Sequence, residues 1–262
     1  MTPHQDADAP GCVSRRVFFG VLGAAGATLL GCGGGISDGS GGQARLTARP
    51  GTPTGTVSPG TIRLGTGEVH DGYLYVPAGY HAGTPLPLLL ALHGAGGNVT
   101  GPLSFLAPYA EARGFLIVAV NSSDVTWDAV IRGFGADVGI IDTALQRAFQ
   151  RVSVDPARIA VEGFSDGASY ALGLGLINGD LFTRILAFSP GFVPGSSSSR
   201  HGKPEAFLSH GRQDPVIDIS GSSRMIVPDL RADGYAVTYV EFDGGHSIPT
   251  EVADAAMTWL LR

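Results

Sequence analysis

Residues 158–168 read RIAVEGFSDGA, an apolar run followed by a serine between two glycines and then by small side chains. The apolar run predicts a strand and the small residues predict the start of a helix, so Ser165 stands in the turn between them. Glycines on both sides of the serine let the strand and helix backbones approach closely. The serine hydroxyl is then expected to project beyond the edge of a sheet.

The same G-x-S-x-G pattern occurs a second time, at residues 35–39, around Ser37. Neither a predicted strand nor a predicted helix flanks Ser37, so the context of the pattern singles out Ser165. The alternative for Ser165 is a capping serine in a glycine-rich turn between a strand and a helix.

Strand-like and helix-like stretches alternate from Thr61 to the end of the chain. The predicted strands are an opening hairpin within 62–76 and runs at 86–92, 115–120, 158–163, 185–188, 206–209 and 237–242. The predicted helices cover 103–113, 136–151, 165–177, 222–232 and 249–261. This alternation predicts an α/β fold with a mostly parallel sheet and helices on both of its faces. Ligands of such sheets bind beyond the carboxyl ends of the strands.

Composition excludes several classes of protein. Of 262 residues, 44% are hydrophobic and 15% are charged, which is too apolar for a disordered chain. The net charge of −6, without a basic run, argues against a nucleic-acid partner. Cys12 and Cys32 are the two cysteines, so a disulfide framework, a cysteine-ligated metal site and a thiol nucleophile are excluded beyond residue 32.

The N-terminal segment has the pattern of an export signal. SRRVFF at 14–19 resembles a twin-arginine signal, the uncharged run 17–30 suits a signal-peptide core, and LLGC at 29–32 resembles a lipobox. We predict a lipoprotein signal peptide over 1–31 and lipidation of Cys32. The protein is then exported to the periplasm or cell surface and meets the membrane through this anchor only. The alternative is an ordinary secretory signal with a chance cysteine.

Residues 33–60 are rich in Gly, Ser, Thr and Pro. Such a composition predicts a flexible tether, so the chain divides into the signal 1–31, the lipidated cysteine and tether 32–60, and a catalytic domain over 61–262.

Serine is a poor nucleophile unless a base takes its proton, and the base needs a carboxylate to orient it. In sites of this kind the chain order is serine, acid, histidine. After Ser165, histidine occurs at His201, His210 and His246. His246 follows the predicted strand 237–242 in a glycine-containing loop, and we predict it as the base. His201 lies in a Ser/Gly/Pro loop without a scaffold, and His210 is expected to brace a turn.

Asp214 is the predicted orienting carboxylate. It follows the predicted strand 206–209, and Pro215 biases it to an extended conformation and stiffens the loop. Its competitors are Asp218, four residues further on, and Asp243, which is too near His246 in sequence to reach the ring easily.

The developing oxyanion of an acyl transfer needs two preset backbone N–H groups. One belongs to Asp166, directly after the nucleophile. The other is expected from the glycine loop 93–98, where we predict Ala95 as the donor and Gly96 as the neighbour that could replace it. The same loop lacks the Lys-Ser/Thr of a phosphate-binding loop, and His93 is expected to be structural. No metal and no cofactor is implied.

Together these pieces resemble the α/β-hydrolase superfamily, and within it the bacterial phospholipase/carboxylesterase group, relatives of acyl-protein thioesterases. Polyhydroxybutyrate depolymerase-type and feruloyl esterases share much of the pattern. The matching stretches are 92–97, 163–168, 210–216 and 245–249. The resemblance implies a serine carboxylesterase that works through an acyl-enzyme, with a Ser165–Asp214–His246 triad. Asp166 departs from the Gln or Met often found there, and its carboxylate is expected to disfavour anionic acyl groups.

Substrate signals are few. No stretch between strands is long enough for a lid domain, so an open cleft for a small-molecule or oligomeric ester is expected. The loop 121–135 contains Trp127, which either walls the acyl or aryl pocket or packs in the core or on the surface. The alternatives to a carboxylesterase are a polyester or feruloyl esterase and an inactive hydrolase fold that serves as a binding lipoprotein.

Overall fold

The computed structural model describes residues 44–67 and 71–262. The strands are β1 (Gly60–Arg63), β2 (Gly72–Val76), β3 (Leu86–Leu92), β4 (Leu116–Val120), β5 (Val154–Phe164), β6 (Arg184–Phe188), β7 (Glu205–Gly211) and β8 (Val237–Phe242). The helices are α1 (Thr100–Arg113), α2 (Asp128–Ile131), α3 (Ala136–Phe149), α4 (Asp166–Ile177), α5 (Ser223–Ala232) and α6 (Thr250–Leu260), with a 3-10 turn at Ser197–Ser199.

All these strands form one sheet in the order β1-β2-β4-β3-β5-β6-β7-β8. β1 and β2 are an antiparallel hairpin, and β2 pairs antiparallel with β4. From β4 to β8 every pairing is parallel. The predicted opening hairpin and mostly parallel sheet are confirmed.

The sheet separates two apolar cores. Along β3, Leu88 and Leu90 point into the core beneath α3, α4 and α5, whereas Leu89 and Ala91 point into the core beneath α1 and α6. Strands buried on both faces require the continuous apolar runs from which they were predicted. Helices on both faces are therefore confirmed.

Connections at the carboxyl edge of the sheet are short. The two longest in the described part of the chain, 121–135 and 189–204, contain only α2 and the 3-10 turn. Neither is large enough to form a lid domain, as expected.

Residues 44–48 differ from the tether predicted for 32–60. Ala44, Leu46 and Ala48 are buried in the core beneath α3 and α4, while the alternate residues face outward. The Leu46 N–H donates to Asn178 Oδ1 at 2.8 Å, and Asn178 Nδ2 donates to the Ala44 carbonyl at 2.8 Å. Apolar alternation with period two was the signal for this extended segment, and the Gly- and Pro-rich flanks obscured it.

The predicted signal 1–31 and the lipidation site Cys32 lie outside the described residues and stay predictions. Among the helices that the structure describes, none has the length and apolar character needed to cross a bilayer.

Candidate active site

Ser165 occupies a strained turn between β5 and α4. Its backbone has φ 58° and ψ −121°, a left-handed conformation that costs a non-glycine residue about 1–3 kcal/mol. The Ser165 N–H donates to the Phe188 carbonyl at 2.9 Å, which ties the turn to the end of β6. The turn therefore stands at the carboxyl edge of the sheet, directly before the N-terminus of α4.

Two glycines make this turn possible, as predicted. A Cβ atom at Gly163 would overlap the carbonyl group of Gly167, and one at Gly167 would overlap the carbonyl oxygen of Leu92. The turn is thus pressed against the end of β3. No other residue type fits at either position without a backbone shift.

His246 and Asp214 are paired, as their predicted roles require. His246 Nδ1 lies 2.7 Å from Asp214 Oδ2. The other carboxylate oxygen, Asp214 Oδ1, accepts the N–H groups of Val216 at 2.8 Å and Ile217 at 2.9 Å. Burial alone would raise the pKa of Asp214, but the Ile217 N–H, the His246 ring and the Val216 N–H hold it below its ordinary value. Asp214 is therefore a charged, fully enclosed acceptor for His246.

His210 braces the turn that carries Asp214, as expected. Its Nε2 lies 3.0 Å from the Ile217 carbonyl and 3.2 Å from Asp214 Oδ2, and its Nδ1 lies 2.7 Å from Ser223 Oγ. Because a carbonyl only accepts, Nε2 carries the proton and Nδ1 accepts the Ser223 hydroxyl. Burial lowers the pKa of His210, so the ring is neutral and its role is to support the turn through these contacts.

The competing residues are engaged elsewhere. Asp218 Oδ2 accepts the Gly221 N–H at 2.9 Å, and Asp243 pairs with Arg212 at 2.8 Å on the surface. His201 is exposed in the loop between β6 and β7, where its N–H donates to the Leu176 carbonyl of α4 at 3.0 Å.

Phe164 joins the serine turn to the histidine loop. Its ring packs against the His246 ring with centroids 4.6 Å apart. Since Phe164 immediately precedes Ser165, this contact holds the paired imidazole beside the turn.

The glycine loop after β3 approaches the same turn. A Cβ atom at Gly94 would lie 3.4 Å from Ser165 Cβ. Ala95 follows, and its N–H has no acceptor among the residues described. The N–H of Asp166 opens α4, where the helix supplies no acceptor for it. These are the two N–H groups predicted to face the oxyanion.

Gly96, predicted as a substitute donor, does not fit this role in the structure. Its N–H donates to the Val125 carbonyl at 2.8 Å. That bond instead fixes the glycine loop to the neighbouring loop 121–127.

Trp127 does not line the substrate pocket, which corrects the first of the two predictions for it. Its side chain is 0% exposed and packs between His93 and Tyr170, with ring centroids 4.9 Å and 5.0 Å away. The indole N–H donates to the His93 carbonyl at 2.7 Å. Trp127 thus supports the glycine loop from within the core.

Two supporting contacts had no signal in the sequence pattern. His93 Nε2 accepts the Ser122 N–H at 3.1 Å. The Asp166 carboxylate accepts the Thr126 hydroxyl at 2.6 Å. Both contacts bind loop 121–127 to the site.

A cavity of about 240 Å³ opens beside the serine turn. Its walls are mostly apolar and include Leu92, Phe105, Phe164 and Ile248, and Glu162 is part of its lining. Sequence reasoning missed Glu162, although a single charged residue in an apolar strand was a signal for it.

Known proteins resemble this chain in sequence. The family model Phospholipase/Carboxylesterase matches residues 136–260, which include Ser165, Asp214 and His246. Feruloyl esterase C of Emericella nidulans is 26% identical over 232 residues, 73% of this chain and 84% of that protein. Probable feruloyl esterase C of Aspergillus oryzae is 24% identical over 221 residues, 71% of this chain and 80% of that protein.

Solved structures share the fold. Esterase PE8 superimposes with a TM-score of 0.58 at 22% identity, covering 71% of this chain and 95% of that one. The Bacillus cereus carboxylesterase has a TM-score of 0.57 at 19% identity, covering 75% and 96%. Sheet topology, the family match and the esterase relatives together support an α/β-hydrolase fold and an enzyme that acts on ester bonds.

Proposed function

We propose that the protein is a serine carboxylesterase that forms an acyl-enzyme on Ser165. The observation that carries the proposal is the 2.7 Å contact between His246 Nδ1 and a charged, enclosed Asp214, held beside the serine turn. This pairing leaves His246 Nε2 to accept the Ser165 proton.

In the first half-reaction Ser165 Oγ attacks the ester carbonyl while His246 Nε2 takes its proton. Asp214 stabilises the imidazolium that forms and keeps the ring oriented. The N–H groups of Ala95 and Asp166 donate to the oxyanion, and each such donor contributes about 3 kcal/mol in other hydrolases.

In the second half-reaction the deacylating nucleophile is water. The first half-reaction ends, before water attacks, when His246 protonates the leaving alcohol, which departs and leaves the acyl group on Ser165 Oγ. His246 then takes a proton from water, whose oxygen attacks the acyl carbon, and returns the proton to Ser165 as the acid leaves.

A feruloyl or polyester esterase is the second candidate. The relatives named feruloyl esterase C favour it. Exposed apolar side chains in the connections that follow strands at the carboxyl edge of the sheet also favour it. There are four: Val125, Ile131, Phe192 and Val216. Apolar side chains exposed near a cleft are typical of binding sites for apolar groups.

The test is hydrolysis of p-nitrophenyl esters from acetate to palmitate by the protein and by Ser165→Ala. We expect the variant to lose activity by about 10³-fold or more, because the nucleophile is gone. Ser37→Ala, in the second G-x-S-x-G match, is the matched control and is expected to keep full activity. Equal hydrolysis by Ser165→Ala and the wild type, with circular dichroism unchanged, would reject the mechanism and favour a binding lipoprotein.

The chain-length profile separates the two candidates. A preference for acetate or butyrate supports a carboxylesterase for small esters. A long-chain optimum, or hydrolysis of feruloyl or hydroxyalkanoate esters above all the p-nitrophenyl esters, supports the second candidate.

We also propose that residues 1–31 direct export and that Cys32 carries the lipid. The motif SRRVFF and the LLGC stretch support this proposal. Cys32→Ala is expected to move the protein from the membrane fraction to the soluble fraction, and Cys12→Ala is the matched control. Membrane attachment that survives Cys32→Ala would contradict it.

A further inference from the structure

Glu162 is a buried acidic residue that the proposed mechanism does not use. It lies on β5 three residues before Ser165, between Ala91 of β3 and Leu186 of β6 in the sheet. Its exposed fraction is 3%, and its carboxyl group has no hydrogen-bond partner among the residues described. Buried carboxyl groups are almost always hydrogen-bonded, and Glu162 lines a cavity, so its partner has to come from that cavity, as water or as a polar group of a ligand.

Glu162 contributes to the lining of the 240 Å³ cavity beside the active site. Gly94 and Phe164 form the wall nearest Ser165, and Ile248 stands two residues after His246. The cavity therefore adjoins the ester-binding position of the proposed mechanism.

The cavity has the size and walls of a site for one substituted ring. A cavity of about 150 Å³ lined by Leu, Ile and Phe is known to take up benzene. At 240 Å³, with Leu92, Phe105, Phe164 and Ile248 in its walls, this cavity has room for such a ring and a further substituent.

The polar groups of the lining are uncharged at neutral pH. Burial raises the pKa of Glu162 to about 8, so its carboxyl group is mainly protonated and both donates and accepts hydrogen bonds. Burial lowers the pKa of His93, the other titratable residue of the lining. A hydroxyl group, which also donates and accepts, matches a protonated carboxyl.

We propose that this cavity binds a compact apolar group of the substrate, about the size of one substituted ring, and that Glu162 selects those that end in a hydroxyl group. The proposal rests on the proposed esterase function. It makes Glu162 a specificity-determining residue.

Kinetics with matched ester pairs test the proposal. On the acyl side the pair is methyl 3-(4-hydroxyphenyl)propanoate and methyl 3-phenylpropanoate. On the alcohol side it is 4-hydroxyphenethyl acetate and phenethyl acetate. We expect the wild type to favour the hydroxylated ester about tenfold in kcat/KM in one pair, and that pair shows which side of the ester enters the cavity.

Three variants assign the preference to Glu162. Glu162→Leu is expected to reduce the ratio to about one, since no polar group then meets the hydroxyl. Glu162→Gln keeps a neutral donor and acceptor of the same size and is expected to retain most of the ratio. Val161→Ala changes the adjacent β5 residue, whose side chain points into the opposite core, and is expected to leave the ratio unchanged.

Measuring the binding of ring compounds tests the role of Glu162 independently of the catalytic mechanism. With Ser165→Ala, 4-ethylphenol is expected to bind about tenfold more tightly than ethylbenzene by calorimetry, and Glu162→Leu in that background is expected to abolish the difference. Ester hydrolysis by Ser165→Ala would overturn the proposed function. The difference in binding between the two probes could still be interpreted. Equal binding of the two probes, or a kinetic ratio that Glu162→Leu does not change, would overturn the role of Glu162.

Discussion

Two buried carboxyl groups close to Ser165 differ in charge because their surroundings differ. Asp214 receives hydrogen bonds from two backbone N–H groups and from His246, which hold its pKa low against the effect of burial. Glu162 receives none from the residues described, and burial raises its pKa to about 8. One carboxyl group therefore supplies negative charge to the site, and the other supplies a neutral hydrogen-bonding group.

The charge of Asp214 leads to the first prediction. Asp214→Asn is expected to lower kcat on p-nitrophenyl butyrate by about 10³–10⁴-fold, because an amide no longer stabilises the imidazolium and favours the wrong ring tautomer. Asp243→Asn, a surface control paired only with Arg212, is expected to change kcat less than threefold. A loss below tenfold in Asp214→Asn would show that another group orients His246.

Glu162 makes stability depend on pH. The pKa is 4.5 in an ordinary setting and about 8 in the folded chain. Between these values the folded state keeps a proton that the unfolded state has lost, so the free energy of unfolding falls as the pH rises. Glu162→Gln removes this dependence.

We therefore expect Glu162→Gln to gain stability over the wild type from about pH 4.5 upward, reaching roughly 3 kcal/mol near pH 7 and levelling off above pH 8. Urea unfolding at pH 4.5, 6, 7 and 8.5 measures it. A difference that stays constant over this range would contradict the buried, protonated state of Glu162.

At the scale of elements, helices α3 and α4 place different demands on their glycines. Gly139 of α3 is exposed, and no atom lies within 4 Å of where its Cβ would be. Gly173 of α4 is buried, and its Cβ would lie 2.6 Å from the Pro194 carbonyl oxygen. α4 is enclosed on every side, so its glycines are positions of close approach.

The two glycines give opposite predictions for the same substitution. Gly139→Ala is expected to stabilise the protein by about 0.5–1 kcal/mol, since alanine favours the helix. Gly173→Ala is expected to destabilise it by about 2 kcal/mol or more, because the loop containing Pro194 must move. Thermal unfolding of the pair measures both effects, and a gain in stability for Gly173→Ala would refute the close packing of α4.

Long apolar runs made most elements predictable, whereas tertiary contacts decided the rest. β5 begins at Val154, four residues before the predicted start, because Val154 pairs with Leu86 despite the intervening Pro156. The sequence pattern predicts only a loop where α2 lies. α2 is held by Asp128 and Asp137, whose backbone N–H groups each donate to the other residue's carboxylate at 2.7 and 2.9 Å.

The positions of the site residues were predictable for the same reason, since Ser165, Asp214 and His246 each follow a strand. Features of the site that depend on contacts with other loops were not predictable from the sequence. Gly96 is unsuitable as a donor only because the Val125 carbonyl, far along the chain, occupies its N–H. The role proposed for Glu162 depends on the cavity that it lines, which the sequence pattern does not show.

At the scale of the whole molecule, residues 44–48 belong to the folded domain. They bury Leu46 and satisfy Asn178, and Arg45 and Arg49 both pair with Asp180 at the end of α4. A chain that starts at Thr61, the predicted domain boundary, would lose these contacts. The buried Asn178 amide would then lose its bonds to Leu46 and Ala44 and keep only the one to the Leu174 carbonyl.

We expect a chain starting at Thr61 to be less stable than one starting at Gly33 by at least about 3 kcal/mol, from lost apolar burial and hydrogen bonds. Leu46→Ala in the longer chain is expected to account for about 2 kcal/mol of this loss. Thr56→Ala, an exposed control, is expected to have no effect. Equal urea midpoints for the two chains would contradict the packing of residues 44–48.

The contact between Leu46 and Asn178 can form only after a long further stretch of the chain has been synthesised. The two residues are 132 positions apart, and ribosomes add about 5–20 residues each second, so Leu46 waits roughly 7–26 seconds for its partner to be made. His246 comes later still, in the loop before the last helix. A nascent chain therefore carries an unpaired apolar segment at its beginning for about half of translation, and it gains the last member of the proposed triad only when it is almost complete.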